Sequence, residues 1–427
     1  MEPNLNLEEL RRERRRLLES FARDPETTAK TFYTFIGSRL YSPYLSLNRR
    51  DLCCVFNRGV PMEETPGLCL APFREIGSGA HGTIYSVGTR EESYVLKERD
   101  VTKPVVAYLE QSERTQRRLN PYRGVCGFPL SFPSLALASD DFTNEVLISY
   151  ILDELLDRQG VREAGLNNIA TTYAASICGK NKGLLLMERG EASLNDVNNA
   201  VFSPYQEFGF TISGEIPVFN EYFILNTIGQ VVLILQYLDN WNFVHGDLKL
   251  ANVAFFSTPY DYYQADFTVK LIDFEKSSVT YSLENTDHRF FNYSSLADTY
   301  LSLLPFTPNV KDGTFIIDAT FVPQIYAYSR HDLTPYYSSF DLYTFIISML
   351  LSPSYFFAFS RFPNLVKSVF RVLFDEDNFV KIYDRIYKAQ GKLDPDSMSD
   401  ILDILRGVPL KCNLADLLYK SIFTGGS

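Results

Sequence analysis

Three side chains of unlike chemistry fall within one short stretch, His245-Gly246-Asp247-Leu248-Lys249-Leu250-Ala251-Asn252: a carboxylate at 247, an ammonium at 249 and an amide at 252. An Asp can orient a hydroxyl and accept its proton, a Lys can neutralise charge on a moving phosphoryl group, and an Asn oxygen can hold a metal ion that bridges phosphates. The set suits phosphoryl transfer. A further carboxylate, Asp273, ends the apolar run Val269-Lys270-Leu271-Ile272 and precedes Phe274 and Glu275. Its oxygens suit magnesium, so Asp273 joins Asn252 as a candidate metal ligand.

Upstream, Ile76-Gly77-Ser78-Gly79-Ala80-His81-Gly82-Thr83-Ile84 has the form G-x-G-x-x-G-x-aliphatic. Glycines there let a hairpin approach a triphosphate without side-chain interference, and backbone N–H groups can meet phosphate oxygens. A glycine-rich turn without a ligand is common, so its weight depends on what surrounds it. A dinucleotide-binding reading fails because the segment after the glycines is strand-like and opens no helix.

The elements that must position these groups follow from the hydrophobic period. Phe73 to Ile76, Thr83 to Val87 and Ser93 to Lys97 are short β-like runs split by glycine or charged turns. Asn144 to Leu156 is apolar at helical period, and strand-like runs from Thr171 to Cys178 and Gly183 to Glu188 complete an expected five-stranded lobe with one helix. Beyond Gly190 the pattern is helical, with runs at Glu221 to Asn240, Ser339 to Leu351 and several between Asn364 and Leu418. The stretch punctuated by Pro305, Pro308, Pro323 and Pro335 is expected to be mostly loop. His245 to Asn252 therefore lies between a helix ending near Val244 and a strand from Val253 to Phe256.

At the N-terminus, Leu7, Leu10, Leu17, Leu18 and Phe21 recur at helical spacing among Glu8, Glu9 and five arginines. A helix docked on the main domain is expected; a basic helix that binds a partner or a membrane surface is the alternative. Residues 25 to 70 carry no clear signal.

Length and composition bound the rest. With 427 residues, 45% of them hydrophobic, the chain can bury a full core without a disulfide or metal scaffold. A net charge of −11 argues against a nucleic-acid coat. Six cysteines (Cys53, Cys54, Cys69, Cys126, Cys178, Cys412) lack CxxC spacing, which speaks for a reducing compartment and against a zinc site. The polar N-terminus does not fit a secretion signal. The most apolar windows, Val231 to Leu238 and Phe345 to Leu351, fall short of the roughly 20 residues that span a bilayer.

In order, Gly77, Gly79 and Gly82, then Lys97, Glu145, Asp247, Lys249, Asn252, Asp273 and Asp341 resemble the protein kinases of the eukaryotic type, over roughly residues 70 to 420. The resemblance implies an α+β, bilobal protein-kinase-like fold with a small β-rich N-lobe and a larger, mainly helical C-lobe. The domains would be an N-terminal extension at 1–70, the N-lobe at 71–190 and the C-lobe at 191–427. It implies ATP and Mg²⁺ as cofactors and protein substrates, with Lys249 pointing to Ser/Thr hydroxyls. Lys97 would hold the α- and β-phosphates, braced by a helix carboxylate. Glu145 is the choice because it opens an amphipathic run followed by a hairpin, and Glu110 and Glu113 are rivals nearer in sequence. Met187 and Glu188 would end the strand where adenine meets backbone, and Asp341 would hold the catalytic loop.

Three features depart from the family. Gly246 stands where most members carry Arg, Glu275 replaces the Gly of D-F-G, and no Ala-Pro-Glu follows Asp273 in an unusually long stretch. Glu275 lacks glycine's freedom at positive φ and would add charge near the metal. Control by phosphorylation of the activation segment is not expected. A similar stripped pattern marks divergent serine/threonine kinases of large cytoplasmic DNA viruses, which implies a host cytoplasmic setting. Two other readings stand beside it: a pseudokinase scaffold, motivated by Glu275 and Gly246, and a small-molecule phosphotransferase, where His-Gly-Asp is common but His usually replaces Lys249.

Overall fold

The computed structural model describes residues 7–24, 73–79, 82–88, 93–101, 106–109, 135–158, 160–162, 164–178, 182–195, 221–256, 267–283, 285–292, 310–311, 314–316, 338–352, 355, 363–373, 376–389, 392–393, 400, 404 and 414–424. Ala80, His81, Glu110, Glu113, residues 25 to 70, the four punctuating prolines and every cysteine but Cys178 lie outside them. Helices and strands are mixed, and the chain divides into two units: Met1–Gln116 with Phe132–Arg189 and Asp273–Leu296, and Arg117–Ser131 with Gly190–Ile272 and Ala297–Ser427.

The first unit opens with helix α1 (Leu7–Arg23), then β1 (Phe73–Gly79), β2 (Gly82–Gly88), β3 (Ser93–Asp100), β4 (Val106–Leu109), β5 (Leu135–Ser139), α2 (Asp141–Arg158), β6 (Thr172–Cys178) and β7 (Lys182–Glu188). A five-stranded antiparallel sheet runs β1-β2-β3-β7-β6. Helix α2 starts where Asp140 caps it, its Oδ1 accepting the Phe142 and Thr143 N–H groups at 3.1 Å each. Almost every α2 residue from Phe142 to Leu156 is buried, polar ones included. A helix buried on all sides must be enclosed by other elements, and its polar side chains must find partners there. Here β6, a second sheet and α1 enclose it.

That second sheet was not expected from the sequence. Its order is β11-β12-β5-β4, where β11 (Val279–Leu283) and β12 (Thr286–Asn292) form a hairpin and β12 pairs parallel to β5. The first unit thus includes strands from beyond residue 190. Helix α1 is docked rather than free: Leu17 and Leu18 are buried, and Arg14 lies 2.9 Å from Asp153 Oδ2 and donates to the Thr172 carbonyl at 2.8 Å. Arg15 pairs with Glu154.

The second unit holds β8 (Ala192–Ser193), α3 (Glu221–Leu238), β9 (Val253–Phe255), β10 (Val269–Leu271), β13 (Val310–Lys311), β14 (Thr314–Ile316), α4 (Ser338–Leu351), α5 (Pro363–Leu373), α6 (Glu376–Ala389), β15 (Lys392–Leu393) and α7 (Leu414–Tyr419). Two small antiparallel sheets run β10-β9-β8 and β13-β14-β15. In the stretch expected to be mostly loop, β13 and β14 are therefore short strands. Phe223 of α3, Phe255 of β9 and Phe267 pack with ring centroids 5.1 to 5.6 Å apart, anchoring the small sheet on the helix. Asp341 to Leu350 of α4 are buried throughout. No described helix is long and apolar enough to cross a membrane.

Candidate active site

In the first unit the glycine-rich segment is the end of the β1–β2 hairpin, where Gly77 pairs with Ile84, Ser78 with Thr83 and Gly79 with Gly82. Gly82 has φ +139°, and a Cβ there would lie 1.8 Å from the Glu98 carbonyl oxygen of β3, so no other residue fits. Ile76 and Ile84 are exposed, two apolar side chains near the hairpin tip.

Lys97 leaves β3 toward α2. Its Nζ lies 2.8 and 3.0 Å from the two Glu145 oxygens and 2.8 Å from Asp273 Oδ1. The structure thus brings together Lys97, Glu145 and Asp273. Burial pulls the Lys97 pKa down, but the charges of Asp273, Glu145 and Glu275 outweigh it and hold the ammonium above its ordinary range. Glu145 is pushed up to about 7, first by burial and then by Asp273 and Glu275, against the pull of Lys97. Three carboxylates crowd this site. Lys97 stays protonated, and Glu145 carries the strain of the surplus negative charge.

Glu275 does add charge beside Asp273, since carboxylate oxygens of Glu145, Asp273 and Glu275 lie within 4.8 Å of one another. Among described non-glycine residues φ is positive at Asn242, Asp273 (+67°) and Asn285, so the unusual backbone sits at Asp273, and position 275 does not require glycine. Nor is its charge loose: Glu275 Oε2 lies 2.6 Å from Arg99 Nη1. The Asn144 amide donates to the carbonyls of Glu275 and Ser277 at 3.0 and 2.9 Å, and Asn292 donates to the Glu275 carbonyl at 2.5 Å. Sequence reasoning passed over Arg99, Asn144 and Asn292. Arg99 was findable, since two residues past Lys97 on a strand puts it on the same face.

Glu188 ends β7, its N–H donating to the Thr171 carbonyl at 2.8 Å and its carboxylate accepting the Thr171 N–H at 3.1 Å. Both groups are engaged at the end of β7.

In the second unit, residues 245–252 form a loop fixed from beneath. Asp341 of α4 accepts the His245 N–H at Oδ2 (2.7 Å) and the Gly246 N–H at Oδ1 (2.9 Å), and Thr344 Oγ1 donates to the Leu248 carbonyl at 3.0 Å. His245 Nε2 lies 3.0 Å from the Ile272 carbonyl. Gly246 has φ +78°, a left-handed conformation in which glycine carries no penalty. Leu248 and Leu250 are buried, while Asp247 and Lys249, which alternate with them, are half-buried with Lys249 Nζ 2.8 Å from Asp247 Oδ2. The Asn252 amide donates to the Asp247 carbonyl at 2.7 Å, which aims its Oδ1 elsewhere. Within the same unit the Ile272 N–H donates to the Asn252 carbonyl at 3.0 Å.

In the first unit a lysine pairs with a helix carboxylate, and in the second an Asp, a Lys and an Asn share a loop pinned by a buried Asp, groups of the kinds that phosphoryl transfer uses. The chain is protein-kinase-like and divergent. No protein-family model matches it. A protein of Acanthamoeba polyphaga mimivirus that bears the name of a serine/threonine-protein kinase is 22% identical over 333 residues, 63% of this chain and 46% of that protein. The chain thus spans about half the length of that curated relative. Among solved structures, the BubR1 kinase domain is 19% identical over 48% of this chain and 47% of its own, with a TM-score of 0.30, a likeness too slight to bear on the fold.

Proposed function

We propose that the chain is an ATP- and Mg²⁺-dependent protein kinase that transfers the γ-phosphoryl group to Ser or Thr hydroxyls, with residues 71–190 serving as N-lobe and 191–427 as C-lobe of a bilobal fold. The observation that carries the reading is the loop geometry, in which Asp247 faces Lys249 at 2.8 Å and Asn252 is locked onto the Asp247 backbone. Asp247 orients the acceptor hydroxyl and takes its proton as that oxygen bonds to the γ-phosphorus and the bond to the ADP oxygen breaks. Lys249 offsets charge on the transferring group. Lys97, braced by Glu145, holds the nucleotide phosphates, and the Gly77–Gly82 hairpin covers them.

The donor chemistry fits magnesium. Asp273 and Asn252 offer hard oxygen ligands, and the Asn252 nitrogen is turned to Asp247, so its oxygen is the atom for a cation. Mg²⁺ held by these oxygens would neutralise charge on the nucleotide phosphates. The salt bridge of Glu275 to Arg99 removes one motive for a scaffold reading, because the added carboxylate is compensated. Scattered cysteines support a cytoplasmic setting, and the net charge of −11 speaks against nucleic acid as a partner.

The test is transfer of label from γ-labelled ATP to a generic basic protein, with sugar, choline and aminoglycoside acceptors in parallel. Asp247→Asn is expected to lower transfer by about 10²- to 10⁴-fold while nucleotide binding persists. Undiminished phosphorylation by that variant would overturn the assignment.

A further inference from the structure

Alternate residues of a strand share a face, so β3 presents Lys97 and Arg99 side by side. Each meets a carboxylate of one short segment: Lys97 Nζ is 2.8 Å from Asp273 Oδ1, and Arg99 Nη1 is 2.6 Å from Glu275 Oε2. Glu145 stands between the cations, its Oε2 3.0 Å from Lys97 Nζ and 3.9 Å from Arg99 Nη1. The charges alternate along Asp273, Lys97, Glu145, Arg99 and Glu275. At the outer end Asp141 lies 3.4 Å from Arg99 Nη2, and Lys276 lies 3.2 Å from Asp141 and 3.7 Å from Glu275. Arg99, Glu145 and Glu275 are buried, where an unpaired charge is costly. Without Arg99, the three carboxylates would be left with Lys97 and the more distant Lys276.

We infer that Arg99 and Glu275 are positioning residues of the nucleotide site: their ion pair straps the segment bearing Asp273 to β3, setting Lys97 and Asp273 in one arrangement. The inference rests on the kinase reading above. It assigns Glu275 a purpose in place of the family's glycine. A glycine leaves that segment free to pivot; a buried carboxylate clasped by Arg99, with the carbonyl of the same residue held by Asn144 and Asn292, ties it down at side chain and backbone alike.

The full-length chain is tested as wild type, as the double variant Arg99→Met with Glu275→Leu, and as Glu275→Gln. Apolar replacement of a buried pair is often neutral for stability. The double variant should therefore melt near wild type yet bind a fluorescent ATP analogue with Mg²⁺ about tenfold more weakly. Its KM for ATP should rise by a similar factor with a smaller change in kcat, and amide hydrogen exchange over residues 274–278 should quicken. A folded double variant with unchanged affinity and exchange overturns the inference. Should the double variant not fold, Glu275→Gln decides: it keeps the size and a hydrogen bond to Arg99, and unchanged affinity there refutes the role. Should wild type bind no nucleotide, the kinase reading fails, and exchange over 274–278 alone decides the strap.

Discussion

Replacing Asp341 by Asn tests whether loop chemistry depends on one buried carboxylate. Its two oxygens take separate backbone N–H groups, from His245 at 2.7 Å and Gly246 at 2.9 Å, with the residue fully enclosed. An amide has one acceptor oxygen and turns its NH₂ toward the other N–H, so one buried donor meets a second donor. Such an unsatisfied donor costs about 1–3 kcal/mol, and the remaining bond loses its charged acceptor for about 1 kcal/mol more. The loss of about 2–4 kcal/mol falls on residues 245 and 246, immediately before Asp247. If 2 kcal/mol of it appears in the transition state, the rate drops about thirtyfold. Initial rates with γ-labelled ATP should show kcat reduced by that factor or more with little change in KM for ATP, since Lys97, Glu145 and Asp273 belong to the other unit.

The same residue sets a pH signature. Burial pushes Asp341 up to about 7, aided by the charge of Asp247 and opposed by the two N–H groups. A protonated carboxyl cannot accept both N–H bonds equally, so the wild-type rate should climb through about pH 7, and the Asn variant should lack that limb. Stability moves the other way. The folded value lies above the ordinary 3.8, so the native state keeps a proton that the unfolded chain releases. This contribution is full below pH 3.8 and is lost as pH rises toward about 7. A variant with wild-type kcat and an unaltered pH profile would refute this account of the loop.

Two further outcomes are expected. Gly246→Ala forces a side chain into the left-handed conformation at φ +78° and should cost about 1–2 kcal/mol by chemical denaturation; no loss would mean that the backbone at 246 relaxes freely. Arg14→Ala leaves the buried Asp153 carboxylate with only Arg162 of its two arginines and strips α1 of its bond to the Thr172 carbonyl, which should cost about 3 kcal/mol and open residues 7–24 to proteolysis. Unchanged cleavage would show that Leu17, Leu18 and the Arg15–Glu154 pair hold the helix without Arg14.

What could be read in the sequence was local. The β1 to β3 meander, α2 and the β6–β7 hairpin each announce themselves by a short β-rich or longer apolar run, and glycine or charged turns separate several of them. The hairpin β11–β12 was also legible: Val279, Tyr281 and Leu283 alternate with Thr280 and Ser282, and the apolar set is the buried one. It was overlooked among neighbouring loop signals. Its partner could not have been found that way. The parallel pairing of His288 with Leu135, and the reach of Asn144 to carbonyls 131 and 133 residues away, are contacts of long sequence separation that no local period records.

The departures from the family motif look different once the backbone is known. The left-handed conformations in these two motifs fall at Gly246 and Asp273. At 246 the chain places the residue that pays no steric penalty there, and the Gly246 N–H keeps its bond to Asp341. At 275, where φ is not positive, a side chain is permitted, and the one present is paired with Arg99 from β3. Neither change removes Asp247, Lys249, Asn252 or Asp273. On the proposed kinase reading each would remove an element of control: an arginine that binds a phosphorylated segment, and a glycine that lets Asp273 turn away. A protein built like this should be governed by its amount and by access to substrate, so its transfer rate should not respond to phosphatase treatment.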